Sequence, residues 1–600
     1  MTEETAPVSK ISPVSALRDE LQRRQLDGFV VPHSDEHQGE YIALASERLA
    51  WVTGFNGSAG MSVILKDRAA VFVDGRYTIQ VEEQVDKETF ERCHLTDHPV
   101  SDWLTANVPS GAKVGFDPWL HTPTQIAAFR TACERAGGEL IAVEGNPVDA
   151  VWSDRPALPL GPAVPQAENF TGWSSADKRQ TLAQSIQEGG TDAVVLTAPD
   201  SIAWLLNVRG ADVPYSPLPL SFALLHSSGE VDWFIDSRKL APELADHLGP
   251  DVHTFEPDQL GPALDQLGGN EKTVRLDPNT QAAWIFDRLK QAGAAIVHGV
   301  DPCQLPKAKK TTVELDGIRA AHVRDGAAVV QFLAWLAEAA PTGGINEISA
   351  ADKLETFRRG GNSFRGLSFP TISGAGPNGA ITHYNVTEET CRELLPGSLY
   401  LVDSGGQYLD GTTDITRTIA VGEPAEEMRQ CFTLVLKGHI ALGSSRFPTG
   451  TTGSQLDVLA RRALWEHGLD YDHGTGHGVG SYLNVHEGPH RISKVPNRVP
   501  LEPGMVVSNE PGYYKAGEFG IRIENLVAVV KTNESGANSL LGFETLSLAP
   551  IDQNLINPDL MTADEISWLD AYHQRVRETI GPLVDGKTLD WLASATKPIA

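Results

Sequence analysis

The run over residues 402–418, VDSGGQYLDGTTDITRT, constrains the fold of this chain more than any other segment. Its lead-in, SLYLV, alternates as a strand does, and the glycines and polar residues after it predict a turn into a second strand. This pattern places Asp403 and Asp414 on paired strands of one hairpin, where their side chains can converge. Two carboxylates brought together without a base repel one another, so such a pair shares either a proton or a cation.

Three later segments carry side chains that could hold a cation with this pair. His477 lies in the glycine-rich HGTGHGVG, where the backbone can turn tightly beside a buried site. Glu510 follows an apolar strand-like run, and Glu524 lies in a strand whose period of two places it on one face with Arg522. Four carboxylates and one imidazole can bridge two divalent ions, and oxygen ligands favour Mn²⁺ or Mg²⁺ over thiolate-binding metals. Zn²⁺ and Co²⁺ are also compatible with this set.

Each of these residues has a structural explanation when it is taken alone. Asp403 could cap a turn, Asp414 could form an Asx-turn, and Glu524 could be the buried partner of Arg522. Five hard ligands on strand ends punctuated by glycine, all within one region, make the metal interpretation the stronger one.

Length and charge narrow the class of protein. At 600 residues the chain is too long for a single hydrophobic core and predicts about three or four structural units. The net charge of −29, with no basic run to offset it, argues against binding to nucleic acid or to an anionic membrane. The longest apolar run, over 327–337, is interrupted by Gln331 and is far shorter than the roughly 20 residues that span a bilayer. We therefore expect no nucleic-acid partner and no membrane segment.

The N-terminal segment and the cysteines predict a cytosolic protein. Residues 1–21 have no apolar core and carry acidic residues before the first lysine, unlike a secretory or mitochondrial signal. The cysteines are odd in number and lack paired spacing, which is typical of reduced thiols. They are Cys93, Cys133, Cys303, Cys391 and Cys431.

The first half of the chain contains a loose repeat. The segments DGFVV, LAWVTGF and AAVFVDGRY are echoed by DAVVL, IAWLLNV and DWFIDSRKL. Each copy opens with an amphipathic helix, predicted over 14–25 and 177–187, and continues with a short apolar strand, which indicates a duplicated α/β domain. The predicted domain ranges, separated by a proline-rich linker over 156–166 and a junction over 301–310, are 1–156, 167–305 and 306–600.

Four helices are predicted in the third domain, over 314–339, 425–442, 454–467 and 562–592. The last of these is polar and is expected to cover the surface. Neither repeat contains a Walker pattern or a glycine fingerprint between a strand and a helix. At the strand end that carries Asp74 and Arg76, a turn that anchors the sheet is favoured over a binding site.

Four segments resemble, in their order and spacing, the metallopeptidases of the pita-bread fold and specifically the aminopeptidase P (Xaa-Pro aminopeptidase) family: VDSGGQYLDGTTDITRT, HGTGHGVGSYLNVHEGP, NEPGYY and GIRIEN. The duplicated N-terminal part is similar to the three-domain, cytosolic form of that family. The resemblance implies an α/β (α+β) fold with two creatinase-like domains and a C-terminal pita-bread catalytic domain that holds two divalent ions. The corresponding ligands are Asp403, Asp414, His477, Glu510 and Glu524. In the family pattern Asp414 and Glu524 bridge the ions, whereas Asp403 and His477 each serve one.

The resemblance also implies active-site residues that are not ligands. His383 in ITHYN and His486 in NVHEGP match two such histidines, and either could donate to the substrate carbonyl or to a developing oxyanion. Arg522 matches an arginine that orients a ligand carboxylate or the substrate. Glu510 is expected to accept the proton of the attacking water and to pass it to the leaving nitrogen.

Three neighbouring residues receive weaker interpretations. His473 is expected to be structural, and the role of Tyr514 in EPGYY stays open. Asn509 stands where some members of the family carry aspartate, and we expect it at most to tune activity.

The implied activity is metal-dependent removal of the N-terminal residue from peptides whose second residue is proline, by an enzyme that the family pattern makes a homodimer. A dipeptidase that cleaves Xaa-Pro is an alternative on the same fold, although the long duplicated N-terminal part favours the aminopeptidase. A second alternative is a non-catalytic binding scaffold or a metal-free enzyme of the creatinase type. Such proteins lose several ligand carboxylates, whereas all five positions are filled here.

Overall fold

The computed structural model describes residues 12–532 and 540–599. The first eleven residues of the segment 1–21, for which no targeting signal is expected, lie outside these ranges. No helix of the described ranges is both long enough and apolar enough to cross a membrane. All five cysteines are free thiols. The domain boundaries given above stay predictions.

The first domain is built on a six-stranded mixed sheet. Its central strand Gly28–Pro32 runs antiparallel to Met61–Leu65 and parallel to Lys113–Phe116. Alternate residues of the central strand enter two different hydrophobic clusters, one on each face. All five residues of the strand are therefore buried, as expected for a strand covered by helices on both faces. The strands, in spatial order, are Glu91–His94, Ala69–Val73, Met61–Leu65, Gly28–Pro32, Lys113–Phe116 and Glu139–Ala142. The helices are Pro13–Arg23, Arg48–Thr53, Thr78–Gln84, Val100–Asn107, Pro123–Ala136 and Pro147–Val151.

The second domain repeats this topology strand for strand, with the same parallel and antiparallel pairings. Its strands, in spatial order, are Val252–Phe255, Val231–Phe234, Phe222–His226, Ala193–Leu196, Thr273–Leu276 and Ala295–His298. Its helices are Glu168–Thr171, Ser175–Glu188, Pro199–Leu206, Leu244–Leu248, Leu260–Gly269, Ala283–Ala292 and Gln304–Ala308. The predicted opening helices of both domains lie within two residues of the observed ones. Part of the predicted linker forms a short strand, Val164–Pro165, paired with Val208–Arg209.

The third domain combines helices with mainly antiparallel sheets. Its helices are Thr312–Ala339, Glu347–Arg359, Glu426–Gly443, Gly453–Trp465, Ala563–Ile580 and Gly586–Ala595. Its strands are Phe364–Leu367, Ile372–Ala375, Ser398–Ser404, Gly406–Tyr408, Gly411–Thr412, Ile415–Val421, Phe447–Pro448, Gly476–Gly478, Glu487–Ile492, Val506–Asn509, Gly512–Lys515, Phe519–Arg522, Asn525–Lys531 and Leu540–Thr545. A capping box formed by Thr311 and Glu314 begins the longest helix.

The segment over 562–592 is helical, as predicted. It forms two helices, because the short 3₁₀ turn Gly581–Leu583, which contains a proline, separates Ala563–Ile580 from Gly586–Ala595. The first helix does not merely cover the surface, since Leu569, Tyr572 and Val576 are buried in the core. The Tyr572 hydroxyl lies 2.9 Å from the Arg417 guanidinium.

The aspartate hairpin differs from its prediction in one detail. Ser398–Ser404 pairs with Ile415–Val421, and Asp403 lies opposite Thr416. Asp414 is not on the second strand but immediately before it, after the small inserted pair Gly406–Tyr408 and Gly411–Thr412. The insertion lets both carboxylates approach the same region.

A buried ion pair fixes the helices behind this hairpin. Arg358 Nε lies 2.7 Å from Asp325 Oδ1, and both side chains are almost fully enclosed. The Tyr408 hydroxyl donates to the same carboxylate at 2.8 Å. Burial tends to raise the pKa of Asp325, but the Arg358 charge outweighs it and lowers the pKa. Two helices and the inserted hairpin are thus joined at one carboxylate.

The variant Arg358→Met is expected to lower the free energy of unfolding of the third domain by about 3–5 kcal/mol, because it leaves Asp325 buried without its cation. Arg359→Met is the matched control, since Arg359 is exposed and pairs with Glu355 on the surface; its change should stay below about 1 kcal/mol. Urea denaturation of both variants measures the difference. Equal destabilisation by the two would contradict the anchoring role of Arg358.

Candidate metal centre and active site

Three of the five predicted ligands lie together. One ligand atom from each of Asp414, His477 and Glu524 lies within 4.8 Å of the others. His477 Nε2 is 3.4 Å from Asp414 Oδ2 and 3.7 Å from Glu510 Oε1. Asp403 lies close to these residues, because its charge contributes to the raised pKa values of Asp414 and Glu524. The structure therefore brings all five into one centre.

Hydrogen bonds orient the imidazole and two carboxylates. His477 Nδ1 lies 2.9 Å from the Gly478 carbonyl, which can only accept, so Nδ1 carries a proton and Nε2 faces the carboxylates. Ser508 Oγ donates to Glu510 Oε1 at 3.0 Å. Thr416 Oγ1 donates to Glu524 Oε2 at 2.8 Å. The second oxygen of Glu524 stays available.

The donor set fits divalent cations. Asp403 Oδ1, Asp414 Oδ1 and Glu524 Oε1 are buried and accept no hydrogen bond from any residue in the described ranges. Burial and then the charges of neighbouring carboxylates raise the pKa values of Asp414 and Glu524 well above their usual range. Unsatisfied buried oxygens that repel one another are stabilised by cations placed between them.

Arg522 braces this centre from one side. Its guanidinium bonds to Asp403 Oδ2 at 2.7 Å and to the Tyr514 hydroxyl at 2.6 Å. Burial tends to lower the pKa of Arg522, but Tyr514 and Asp403 raise it well above its usual value. Arg522 also donates to Thr416 Oγ1. Because Thr416 in turn bonds Glu524, the arginine helps to orient two carboxylates.

A cavity of about 660 Å³ opens above the centre. His383 and His486 line it together with the five predicted ligands and Arg522. The first domain forms the opposite wall, where Glu40 Oε2 lies 2.7 Å from His486 Nδ1 and the Tyr77 hydroxyl lies 3.0 Å from His383 Nδ1. Glu40 and Tyr77 were not predicted as site residues. The only sequence feature that pointed to this wall of the cavity was the aromatic and basic composition around residue 76.

The favoured interpretation of Asp74 and Arg76 as a simple sheet anchor is incomplete. Arg76 forms a two-point ion pair with Asp74, but it also donates to Glu40 Oε1 at 2.9 Å and lines the cavity. In the second domain the repeat of this turn forms the same internal pair between Arg238 and Asp236. There the arginine side chain is 70% exposed and does not line the cavity described above.

A buried charge cluster fixes the strand that follows His486. Glu487 accepts from Lys307 at 2.8 Å and also from Lys310. Lys307 in addition pairs with Asp200 of the second domain at 2.7 Å. The junction between the domains is thus held against the catalytic domain beside His486.

His473 and Tyr514 are connected by a hydrogen bond of 2.9 Å between the Tyr514 hydroxyl and His473 Nε2. His473 Nδ1 bonds to the Gly474 carbonyl, and burial lowers the pKa of His473 to about 3. With both ring nitrogens occupied, His473 supports Tyr514 and through it Arg522.

His439 joins the two strands that border the glutamates predicted as ligands. Its Nδ1 donates to the Asn509 carbonyl and its Nε2 accepts from Asn525 Nδ2, both at 3.1 Å. Asn509 and Asn525 are direct partners across the sheet, and Asn509 precedes Glu510 whereas Asn525 follows Glu524. Asn509 Nδ2 donates to the His439 carbonyl at 2.9 Å. Burial and then Arg417 lower the pKa of His439 to about 3, so the ring stays neutral.

Comparison with known families covers nearly the whole chain. Residues 316–531 match the model of metallopeptidase family M24, and residues 539–599 match the C-terminal region of peptidase M24. Residues 13–151 and 154–314 each match a creatinase/prolidase N-terminal domain. The predicted fold class, with two creatinase-like α/β domains before a pita-bread catalytic domain, is confirmed.

Full-length relatives agree with these matches. Aminopeptidase P1 of Lotus japonicus is 39% identical over 98% of this chain and 99% of its own. A probable Xaa-Pro aminopeptidase P of Laccaria bicolor is 42% identical over 99% of this chain and 94% of its own. The crystal structure of X-prolyl aminopeptidase from Caenorhabditis elegans, described as a cytosolic enzyme with a di-nuclear active site, superposes with a TM-score of 0.93 at 35% identity. That match covers 98% of this chain and 100% of the other.

The variant Asp414→Ala is expected to abolish binding of both divalent ions, because the carboxylate predicted to join them is removed. Wild-type protein reconstituted with Mn²⁺ should hold about two ions per chain. Asp410→Ala is the control, since Asp410 lies in the same hairpin but pairs with Arg324. Elemental analysis after dialysis measures the ratio, and one or two ions retained by Asp414→Ala would refute the bridging role.

His439 predicts a specific acid sensitivity of the metal-free protein. The unfolded chain takes up a proton on this residue below about pH 6.5, whereas the folded chain does not until about pH 3, so the free energy of unfolding falls as the pH falls through this window. Between pH 6.5 and 5.0, His439→Gln should lose about 2 kcal/mol less stability than wild type. His467→Gln, which replaces an exposed histidine, should follow wild type. Urea titrations in EDTA at the two pH values give the free energy of unfolding of wild type and of both variants, and an equal loss in wild type and His439→Gln would contradict the prediction.

Proposed function

The chain belongs to the aminopeptidase P members of metallopeptidase family M24, and on that premise we propose that the centre described above cleaves the N-terminal Xaa-Pro bond of peptides with two divalent ions. The whole-chain matches make it a metal-dependent hydrolase with exopeptidase activity. The observation that carries the site assignment is the set of three buried carboxylate oxygens that accept no hydrogen bond from the described part of the chain and lie near His477.

We assign the ligands residue by residue. Asp403 and His477 would each hold one ion, Glu510 would complete the set, and Asp414 and Glu524 would be shared by the two ions. Two features support this assignment. The three unpartnered oxygens belong to Asp403, Asp414 and Glu524, and a ligand histidine ordinarily has its other ring nitrogen held by a carbonyl, as His477 has.

The reaction adds water across the amide. The bound ions supply Lewis-acid activation of the water and of the scissile carbonyl. Glu510 accepts a proton from the attacking water and transfers it to the proline nitrogen as the carbon–nitrogen bond breaks. Ser508, which donates to Glu510 Oε1 at 3.0 Å, fixes the orientation of this carboxylate. A carboxylic acid product and a free prolyl amine leave the site.

His486 is placed to stabilise negative charge on the carbonyl oxygen. Glu40 can only accept, so His486 Nδ1 carries the proton of this contact, and a second proton on Nε2 would donate to that oxygen. Although burial tends to raise the pKa of Glu40, the charges of His486 and Arg76 hold it well below its usual range. Arg522 orients Asp403 and takes no part in the proton transfer.

The aminopeptidase is favoured over the dipeptidase by coverage of the chain. Relatives that match 98–99% of this chain at 39–42% identity are named aminopeptidase P1 and probable Xaa-Pro aminopeptidase P, and the worm X-prolyl aminopeptidase covers 98% of it at a TM-score of 0.93. A non-catalytic scaffold is disfavoured because no ligand position has been lost.

We also propose the finer properties that the resemblance implied. The metal is Mn²⁺, because carboxylates outnumber imidazoles four to one in the set and hard oxygen ligands suit it. The enzyme acts in the cytosol, in keeping with its free thiols. It forms a homodimer, and exposed apolar side chains such as Val458 and Trp465 on the helix Gly453–Trp465 could contribute to the contact.

A comparison of Arg-Pro-Pro with Arg-Pro tests the substrate class. The Mn²⁺-loaded protein should release arginine from the tripeptide with a kcat/KM at least about tenfold above that for the dipeptide. Chromatographic quantitation of free arginine gives both rates, and EDTA should abolish them. Activity confined to the dipeptide would establish the dipeptidase instead. Failure of both peptides at full metal occupancy would favour the scaffold.

A further inference from the structure

Side chains of the first domain link the two non-ligand histidines in one continuous chain. The Tyr77 hydroxyl lies 3.0 Å from His383 Nδ1 and 2.7 Å from Ser58 Oγ. Ser58 Oγ in turn lies 3.0 Å from Glu40 Oε1, and Glu40 Oε2 contacts His486. Each contact is short enough to require one proton between its two atoms.

Counting protons along this chain fixes the direction of every bond. Glu40 is ionised and can only accept, so Ser58 must donate its single hydroxyl proton to it. Ser58 Oγ is then an acceptor toward Tyr77, whose own single proton is used in that contact. Tyr77 also accepts the Ser58 backbone N–H at 3.1 Å. The remaining contact can form only if His383 donates from Nδ1.

The opposite direction leaves one contact without a proton. If Tyr77 donated to His383, Ser58 would have to donate either to Tyr77 or to Glu40, and the other oxygen pair would meet lone pair to lone pair. A lost bond to Glu40 would be a charge-assisted one, which is among the stronger hydrogen bonds of a protein. The geometry therefore selects the first arrangement.

Resting on the proposed function, we propose that Tyr77 and Ser58 are positioning residues that hold His383 as the Nδ1–H tautomer, so that its Nε2 accepts the backbone N–H of the third residue of the substrate. The ring is neutral, because burial and the nearby charges of Arg76, His486 and Arg522 hold the pKa of His383 well below its usual value. His383 then cannot donate to an oxyanion, and His486 alone takes that role.

The choice of the third residue follows from the chemistry of the peptide. The nitrogen of an Xaa-Pro bond carries no N–H, so the nearest backbone donors are the N-terminal ammonium and the N–H of the residue after proline. The guanidinium charges of Arg76 and Arg522 act on His383, which disfavours an ammonium there and leaves the neutral N–H. A dipeptide ends in a carboxylate at that point and offers the Nε2 lone pair no donor.

The first test reads the tautomer directly and needs no peptidase activity. Protein labelled with ¹⁵N-histidine and loaded with diamagnetic Zn²⁺ is studied by NMR through two-bond couplings, with the His383 signals assigned from their loss in His383→Gln. Wild type should show Nδ1–H. Ser58→Ala frees the Tyr77 proton to donate to His383 and should convert the ring to Nε2–H. Nε2–H in wild type, or no change in Ser58→Ala, would overturn the inference.

The second test removes the donor from the substrate. N-methylation of the third residue of an Xaa-Pro-Yaa peptide should reduce kcat/KM of the wild type about tenfold, mainly through KM, but that of Tyr77→Phe less than about twofold. Tyr400→Phe is the control, since it removes an equally short 2.7 Å Tyr–Ser bond from the core. It should behave as wild type does. Equal losses in wild type and Tyr77→Phe would exclude the acceptor role.

The two tests separate the inference from the proposed function. An Nδ1–H signal in a protein that cleaves none of the peptides would leave the tautomer assignment standing and refute the peptidase. Cleavage together with an Nε2–H signal would support the peptidase and refute the tautomer assignment. If Tyr77→Phe does not fold, Ser58→Ala takes its place in the kinetic comparison. Because Ser58→Ala should convert His383 to Nε2–H, its kcat/KM should likewise be insensitive to N-methylation of the substrate.

Discussion

Repulsion among four converging carboxylates is the interaction on which the rest of the site depends. Asp414 and Glu524 are enclosed, their pKa values are raised, and they expose oxygens toward one another that no described residue satisfies. Strand pairing, the Thr416 hydroxyl and the Arg522 guanidinium hold these groups against their repulsion. These contacts fix the positions of the carboxylates relative to one another.

Much of the fold and of the site could be predicted, because the sequence patterns that indicate them are local. The alternation in SLYLV and the glycines after it predicted the hairpin, and the apolar periodicity predicted the long helix that the structure places over Thr312–Ala339. The motifs around Asp414, His477 and Glu524 suggested a shared site, and the structure brings these three within 4.8 Å. Asp414 was misplaced by one residue relative to its strand because the inserted pair of short strands has no periodicity of its own.

The rest could not be predicted because it depends on contacts between distant parts of the chain. Tyr77 and His383 are 306 residues apart, and Glu40 and His486 are 446 apart. No local pattern relates such positions. The polar composition of the C-terminal segment likewise concealed that Tyr572 reaches Arg417 in the core. In these cases the packing of whole domains, and not the sequence around a residue, decides which groups meet.

The two copies of the duplicated domain place the same turn in different surroundings. Both retain the same internal arginine–aspartate turn, but only the first one, at Arg76, borders the cavity, while the second one, at Arg238, faces solvent. A substitution at Arg238 therefore alters one exposed ion pair, whereas the same substitution at Arg76 also removes a positive charge from the wall of the cavity.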